Sequence, residues 1–296
     1  MNLLQIGVPK SGNFWLFQIL QNILRFSDRP AESFISQHPI QDLATTWDLN
    51  YPSQSTIDMI DITDLQVSYR ISSIFRMPLT DWNEYLSRSS QVWTHSPVCK
   101  RSPDVFNRFD KKIYIIRDPR DVVLSASRYY CSPYMQKYFP HYETVPEEFL
   151  EKHLPALLQD WVWHVWDHLR LRKDHDLHIC FFEDFLLDFQ QELDHLMEYL
   201  ELPLSFELRE KLQELVSFST LKKTNPKHLK KGTSGQWRSN LSQDQLELCS
   251  ATAGPLLDRL GYYTQEQVFP RSEEIDLWDF EELKQEIISS QEIPFS

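Results

Sequence analysis

Nine residues near the start of the chain, Gly7-Val8-Pro9-Lys10-Ser11-Gly12-Asn13-Phe14-Trp15, restrict its fold more than any other stretch. Before them stands a short apolar run (Leu3, Leu4, Ile6), and after them an amphipathic one (Phe14, Leu16, Phe17, Ile19, Leu20, Ile23, Leu24). That pattern predicts a strand, a tight glycine turn and a helix. Successive backbone N–H groups in such a turn converge on one point, and the helix adds the positive end of its dipole. The segment therefore reads as a phosphate cradle. Its spacing differs from that of a nucleoside-triphosphate P-loop, where lysine directly follows the second glycine and Ser or Thr comes next. Here Asn13 and Phe14 hold those places and Lys10 lies two residues before Gly12, so no hydroxyl is set to ligate Mg²⁺. A phosphate-bearing donor used without metal is the reading this spacing favours.

Three later segments add charge and a base. Ile113 to Ile116 is a continuous apolar run, as expected of a buried parallel strand, and Pro119 then starts a helix. Arg117 falls at the tip of that strand and Ser125 about two helical turns further on. Paired guanidinium donors and a hydroxyl suit a phosphate, although Arg117 could instead pair with Asp118 or Asp121. Lys230-Lys231-Gly232-Thr233-Ser234-Gly235-Gln236-Trp237-Arg238 combines two glycines with clustered cations, in a chain whose net charge is −13. A solvated basic loop is the plain alternative, but a cluster so opposed to the overall charge favours a strongly anionic ligand. Val92-Trp93-Thr94-His95-Ser96-Pro97 ends an apolar strand on a histidine. Of the ten histidines, His95 is the candidate base, because open α/β sheets place their sites at that strand edge.

Taken in order, these segments resemble the sulfotransferases that use 3'-phosphoadenosine 5'-phosphosulfate (PAPS). Pro9-Lys10-Ser11-Gly12 with Trp15, Thr94-His95 with Pro97, Arg117 with Ser125, and the late Lys-Gly-x-x-Gly loop each match a family motif; so does Phe181-Phe182-Glu183-Asp184. The resemblance extends to about residue 262. It implies sulfuryl transfer from PAPS, leaving adenosine 3',5'-bisphosphate (PAP), with His95 as base, Lys10 on the leaving phosphate and Ser125 in the same catalytic set. It assigns the 5'-phosphate to the main chain of Ser11, Gly12, Asn13 and Phe14, and the 3'-phosphate to Arg117, Ser125, Lys230, Lys231 and Gly232. Trp15, Phe182, Ser219, Thr220 and Leu221 would lie near the adenine, and Tyr129, Trp93 and Phe75 near the acceptor. The chain departs from the family pattern at several places. Asn13 and Phe14 replace two threonines, Trp93 a lysine, Phe182 a tyrosine, Leu221 an aromatic residue and Gln236 an aspartate.

At 296 residues and 41% hydrophobic content, the chain can bury one large core. No apolar run reaches the ~18 residues of a membrane span, and Leu3 to Gly7 reads as a strand rather than a signal peptide. Cys99, Cys131, Cys180 and Cys249 show neither paired nor zinc spacing, which fits a reducing cytoplasm. His164 and His168, four apart among Trp161, Trp163 and Trp166, are expected to pack rather than to hold a metal.

Strands and helices alternating after a first-turn phosphate cradle predict an α/β fold in one domain, 1–265, followed by an acidic tail, 266–296. The resemblance implies a P-loop-like parallel sheet of about five strands flanked by helices. Helices are expected at 102–109, 119–130, 146–172, 185–200, 205–216 and 242–260, and strands at 91–95, 112–117 and 177–182; residues 28–90 look irregular. In the tail, eight acidic residues oppose Arg271 and Lys284, while Phe280, Leu283 and Ile287 share a helical face that should dock. The aromatic-rich loops suggest a partly apolar small-molecule or carrier-bound alcohol or amine as acceptor, with no nucleic acid, metal or membrane partner. Oligomeric state is open. Two rivals remain: a P-loop kinase needing ATP and Mg²⁺, and a non-catalytic nucleotide-binding interaction module.

Overall fold

A computed structural model describes residues 1–29, 31–225, 232–264 and 268–291, and the strand–turn–helix unit opens it. β1 (Leu3–Gly7) leads through the glycine turn into the helix Asn13–Phe26. Six further strands follow: β2 (Asp58–Ile62), β3 (Val67–Ile71), β4 (Phe75–Pro78), β5 (Gln91–Thr94), β6 (Lys111–Ile116) and β7 (Leu177–Phe181). They form one sheet in the order β4-β3-β2-β5-β1-β6-β7. The five strands from β2 to β7 in that order are parallel; β3 and β4 add an antiparallel hairpin at one edge.

Side chains alternate across the sheet as the pleat demands. Leu3, Met59, Trp93, Ile113 and Cys180 pack beneath the Asn13–Phe26 helix. Leu4, Ile6, Ile60, Val92, Tyr114 and Ile116 meet the helices Pro146–His175 and Gln243–Arg259 on the other face. Gln5 is the polar exception in β1. Its Nε2 donates to the Asn13 carbonyl at 2.7 Å and its Oε1 accepts from Gln91 at 2.9 Å, while Gln91 accepts from Gln21 at 2.9 Å. This amide chain ties β1 and β5 to the first helix and fixes where the glycine turn stands.

The segment 28–90, irregular in sequence, contributes β2, β3 and β4. Its strands are short and carry acids whose partners are remote in sequence. Asp58 accepts from the backbone N–H groups of Phe34 and Ile35, at 2.9 and 2.8 Å, and Asp61 pairs with Arg70. The single helix expected over 185–200 is two, Phe182–Leu187 and Phe189–Leu200, because Asp188 leaves helical geometry and caps the second through Gln191 N–H. His164 and His168 stack on Tyr114, whose hydroxyl meets His164 Nδ1 at 2.9 Å. The last helix, Phe280–Gln291, packs along Gln243–Arg259 with Leu283 and Ile287 fully buried. No helix among the described residues is long and apolar enough to cross a membrane.

Candidate active site

Two left-handed residues shape the glycine turn: Gly12, at φ 93°, and Lys10, at φ 76°. Gly12 also allows close approach, since a Cβ there would stand 2.4 Å from the Phe182 ring. Lys10 is not a glycine, so its conformation is held by its surroundings, a pattern that clusters at functional sites. The helix after Gly12 has no side-chain cap; Ser11 N–H bonds the Val8 carbonyl at 3.2 Å and Trp15 N–H the Gly12 carbonyl at 2.9 Å, so Gly12, Asn13 and Phe14 N–H groups are the ones that suit an anion. Ser11 Oγ is buried and has no hydrogen-bond partner among the described residues. Asn13, standing where the family has a threonine, spends its side chain inside the turn: Nδ2 donates to the Val8 carbonyl at 2.8 Å. Phe14 packs edge-on against Tyr51.

Arg117 joins this turn to the late loop. Its Nη1 donates to the Lys10 carbonyl and its Nη2 to the Thr233 carbonyl, both at 3.2 Å, and its plane lies 4.3 Å from the Phe182 ring centre. Its Nε is buried and has no hydrogen-bond partner among the described residues. Pairing with a neighbouring aspartate, the alternative raised by the sequence, is not what the structure has. Asp118 binds Arg120 in bidentate fashion, with contacts of 2.9 and 2.8 Å. Asp121 instead accepts from Gly235 N–H at 2.6 Å and Trp237 N–H at 3.1 Å. Asp121 is a residue the sequence reading missed. Its one signal was a position four before Ser125, on the same helical face.

Behind this edge lies a buried carboxyl network. Glu183 accepts from Asp118 N–H at 3.1 Å and from the Tyr262 hydroxyl at 3.0 Å. Burial, with the Asp118 charge adding to it, pushes the Glu183 carboxyl up to about 8. The network fixes the start of the helix that bears Asp121 and Ser125; the Ser125 side chain is half-buried.

The remaining nucleotide-site candidates come from two segments. Gly232, at φ 58°, rests on the Phe218 ring, the first residue of the helix Phe218–Thr224. On that helix Ser219 is exposed, Thr220 half-buried and Leu221 buried. Trp15 reaches toward it: its indole N–H donates to the Val216 carbonyl at 2.9 Å. The Trp15 ring is otherwise spent in the core, against Phe182, Phe185 and Phe189. Lys230 and Lys231 lie outside the described residues.

His95 stands one residue past β5, level with the end of β1. Its Nδ1 lies 2.6 Å from the Gly7 carbonyl, which can only accept, so Nδ1 carries the proton and the neutral ring presents Nε2 as a base. Burial, assisted by the Arg70 and Lys10 charges, lowers its pKa to about 4. Lys10 directs its ammonium over the Tyr129 ring, 4.2 Å from the centre. Burial and the Arg117 and Arg128 guanidinium groups bring that ammonium down to about 8. Arg128 was not foreseen; it lies one turn beyond Ser125 on the same helix.

The three acceptor-side candidates divide. Tyr129 touches Lys10. Trp93 is buried, stacked on Phe17 and edge-on to the His95 ring at 5.2 Å, so it supports the histidine rather than walling an open pocket. Phe75 is not brought to the site. It sits on β4, three strand spacings or about 14 Å from β5, on the face away from Trp93.

Residues 2–261 match the family model described as the sulfotransferase domain. Sulfotransferase 1 family member D1 of Rattus norvegicus is 28% identical over 276 residues, covering 81% of this chain and 88% of that protein. Sulfotransferase 1A1 of Bos taurus is 27% identical over 257 residues, covering 76% and 83%. Among solved structures, retinol dehydratase in complex with retinol and PAP aligns with a TM-score of 0.59 at 18% identity, covering 91% of this chain and 83% of that one. The mouse sulfotransferase SULT7A1 complexed with PAP aligns at 0.55 and 18%, covering 97% and 88%.

Proposed function

The chain belongs to the sulfotransferase family, and from that premise we propose that it moves a sulfuryl group from PAPS to a hydroxyl or amine acceptor. The observation that carries the proposal is the Arg117 guanidinium, which bonds both the glycine turn and the late loop yet keeps a buried Nε that has no partner among the described residues. That donor, the Ser11 hydroxyl with no partner among the described residues and the helix N–H groups without a side-chain cap all suit phosphate oxygens.

PAPS supplies the sulfuryl group and a phosphate leaving group. His95 accepts the acceptor's proton at Nε2 while Gly7 holds the ring through Nδ1. The acceptor oxygen bonds to sulfur as the sulfur–oxygen bond to the phosphate breaks, and Lys10 neutralises the charge that collects on the departing oxygen. Such stabilisation by a preplaced charge is usually the largest catalytic contribution. Positioning supplies most of the rest, as in phosphoryl transfer. Arg117 and Ser125 grip the 3'-phosphate, and Lys230 and Lys231 add their charge to it. The acceptor's hydroxyl meets His95 on the Tyr129 side.

Calorimetric titration with PAP tests the donor site. Wild-type protein binds PAP, and ATP with Mg²⁺ does not compete. Arg117→Ala weakens PAP by about 2 kcal/mol, or about thirtyfold in Kd. Absence of PAP binding to wild type overturns the reading.

The pH profile follows from two titrations. His95 must be neutral to act as base, and with its pKa near 4 it is neutral above that value. Lys10 must be charged, and with its pKa near 8 it loses that charge above it. The kcat/KM against pH therefore rises through about 4, stays flat between about 5 and 7, and falls through about 8.

A further inference from the structure

The face of the sheet beside His95 carries a cation that the sulfuryl-transfer scheme does not use. Trp93, Met59, Arg70 and Arg76 are register partners across β5, β2, β3 and β4, so their side chains share one face. Trp93 packs against the His95 ring at one end of this row. Asp61 lies two residues beyond Met59, at the level of His95 and one strand away, about 5 Å. Arg70 crosses to it: Nε donates to Asp61 Oδ1 at 2.9 Å.

A second contact fixes the guanidinium. Nη1 donates at 2.8 Å to the carbonyl of Ser72, a non-glycine residue held at φ 53°. Neither contact uses Nη2, which has no hydrogen bond among the described residues. Arg76 also binds Asp61, at 2.5 Å from the far side, so two guanidinium groups share one carboxylate and the cluster keeps a net positive charge. Arg76 is exposed and faces solvent, whereas the Arg70 side chain is mostly enclosed.

The Arg70 charge reaches the acceptor side of the site, where it bears on Tyr51, Tyr129 and Tyr134 as well as on His95. Tyr129 lies under Lys10, and Tyr134 accepts from Gln54 Nε2 at 3.2 Å. A fixed cation with a spare donor edge, within electrostatic reach of these tyrosines and two strands from the base, is a recognition device for an anion on a short acceptor.

We propose that the acceptor carries a carboxylate in addition to the group that is sulfated, and that Arg70 is the specificity-determining residue that binds it. This rests on His95 being the base. The bound acceptor spans two strand spacings, about 10 Å, with an aromatic or apolar middle against the tyrosines.

The test compares 3-(4-hydroxyphenyl)propanoate with its methyl ester, a pair alike in the reacting phenol and different in the charge. Wild-type protein with PAPS favours the acid by about tenfold or more in kcat/KM, chiefly through KM. Arg70→Gln brings that ratio near one, and Arg70→Lys restores part of it. Calorimetry of the same two compounds, with and without PAP, gives the acid-to-ester ratio independently of turnover. Equal binding of acid and ester by wild-type protein overturns the proposal, as does an unchanged ratio in Arg70→Gln. If PAP fails to bind while the acid still binds more tightly than the ester, the donor reading falls and the anion site stands.

Discussion

His95→Ala lowers kcat by on the order of 10³-fold while PAP still binds. The fixed bond of the imidazole is to the Gly7 carbonyl, and among the described residues it has no hydrogen bond to Arg117. Removing it takes away the proton acceptor and leaves the nucleotide contacts intact. Alanine also leaves the Gly7 carbonyl without its donor, so His95→Asn is the sharper variant, because its side-chain amide can still donate there. Both variants lose turnover to a similar degree if Nε2 is the base. Initial rates of PAP release at saturating acceptor check this, alongside PAP titration of each variant. An asparagine variant with near-normal turnover refutes the base assignment.

Lys10→Met costs on the order of 10²–10³-fold in kcat, and the loss resides in the chemical step. Methionine keeps the length of the side chain and faces the same backbone strain at φ 76°, so the comparison isolates the ammonium. Burial, and after it the nearby Arg117 and Arg128 charges, lowers the pKa of this lysine. A dianionic leaving group favours the charged ammonium there, so its stabilisation grows as the transferring bond breaks. The expected signature is a large fall in kcat with a smaller change in PAP affinity. The descending limb near pH 8 also disappears from what activity remains. Retention of that limb in Lys10→Met assigns it to another group.

Much of this site could be read from residue order because its parts are backbone devices with strict spacing. The glycine turn, the strand ending at Arg117 and the helix opened by Pro119 each follow from local chemistry, and the structure holds them at one sheet edge. What escaped the sequence depends on distant partners. Asp121 looks like an ordinary helical acid until Gly235 and Trp237 bring it their N–H groups. Arg70 and Asp61 sit in a stretch without clean alternation, and only the hairpin of β2 and β3 brings them together. Phe75 was drawn toward the acceptor by its aromatic character alone; strand order places it at the far edge. Trp93 was expected near the acceptor, and sequence could not tell that its ring is buried against Phe17 and the edge of His95.

The family match stops at residue 261, but the hydrophobic interior does not. Leu283 and Ile287 close over the Gln243–Arg259 helix, and Trp166 donates its indole N–H to the Phe280 carbonyl at 3.1 Å. A truncation chosen at the end of the recognisable domain would therefore uncover a greasy surface on the side of the sheet opposite the chemistry. Such a shortened chain would tend to aggregate, and its inactivity would say nothing about catalysis.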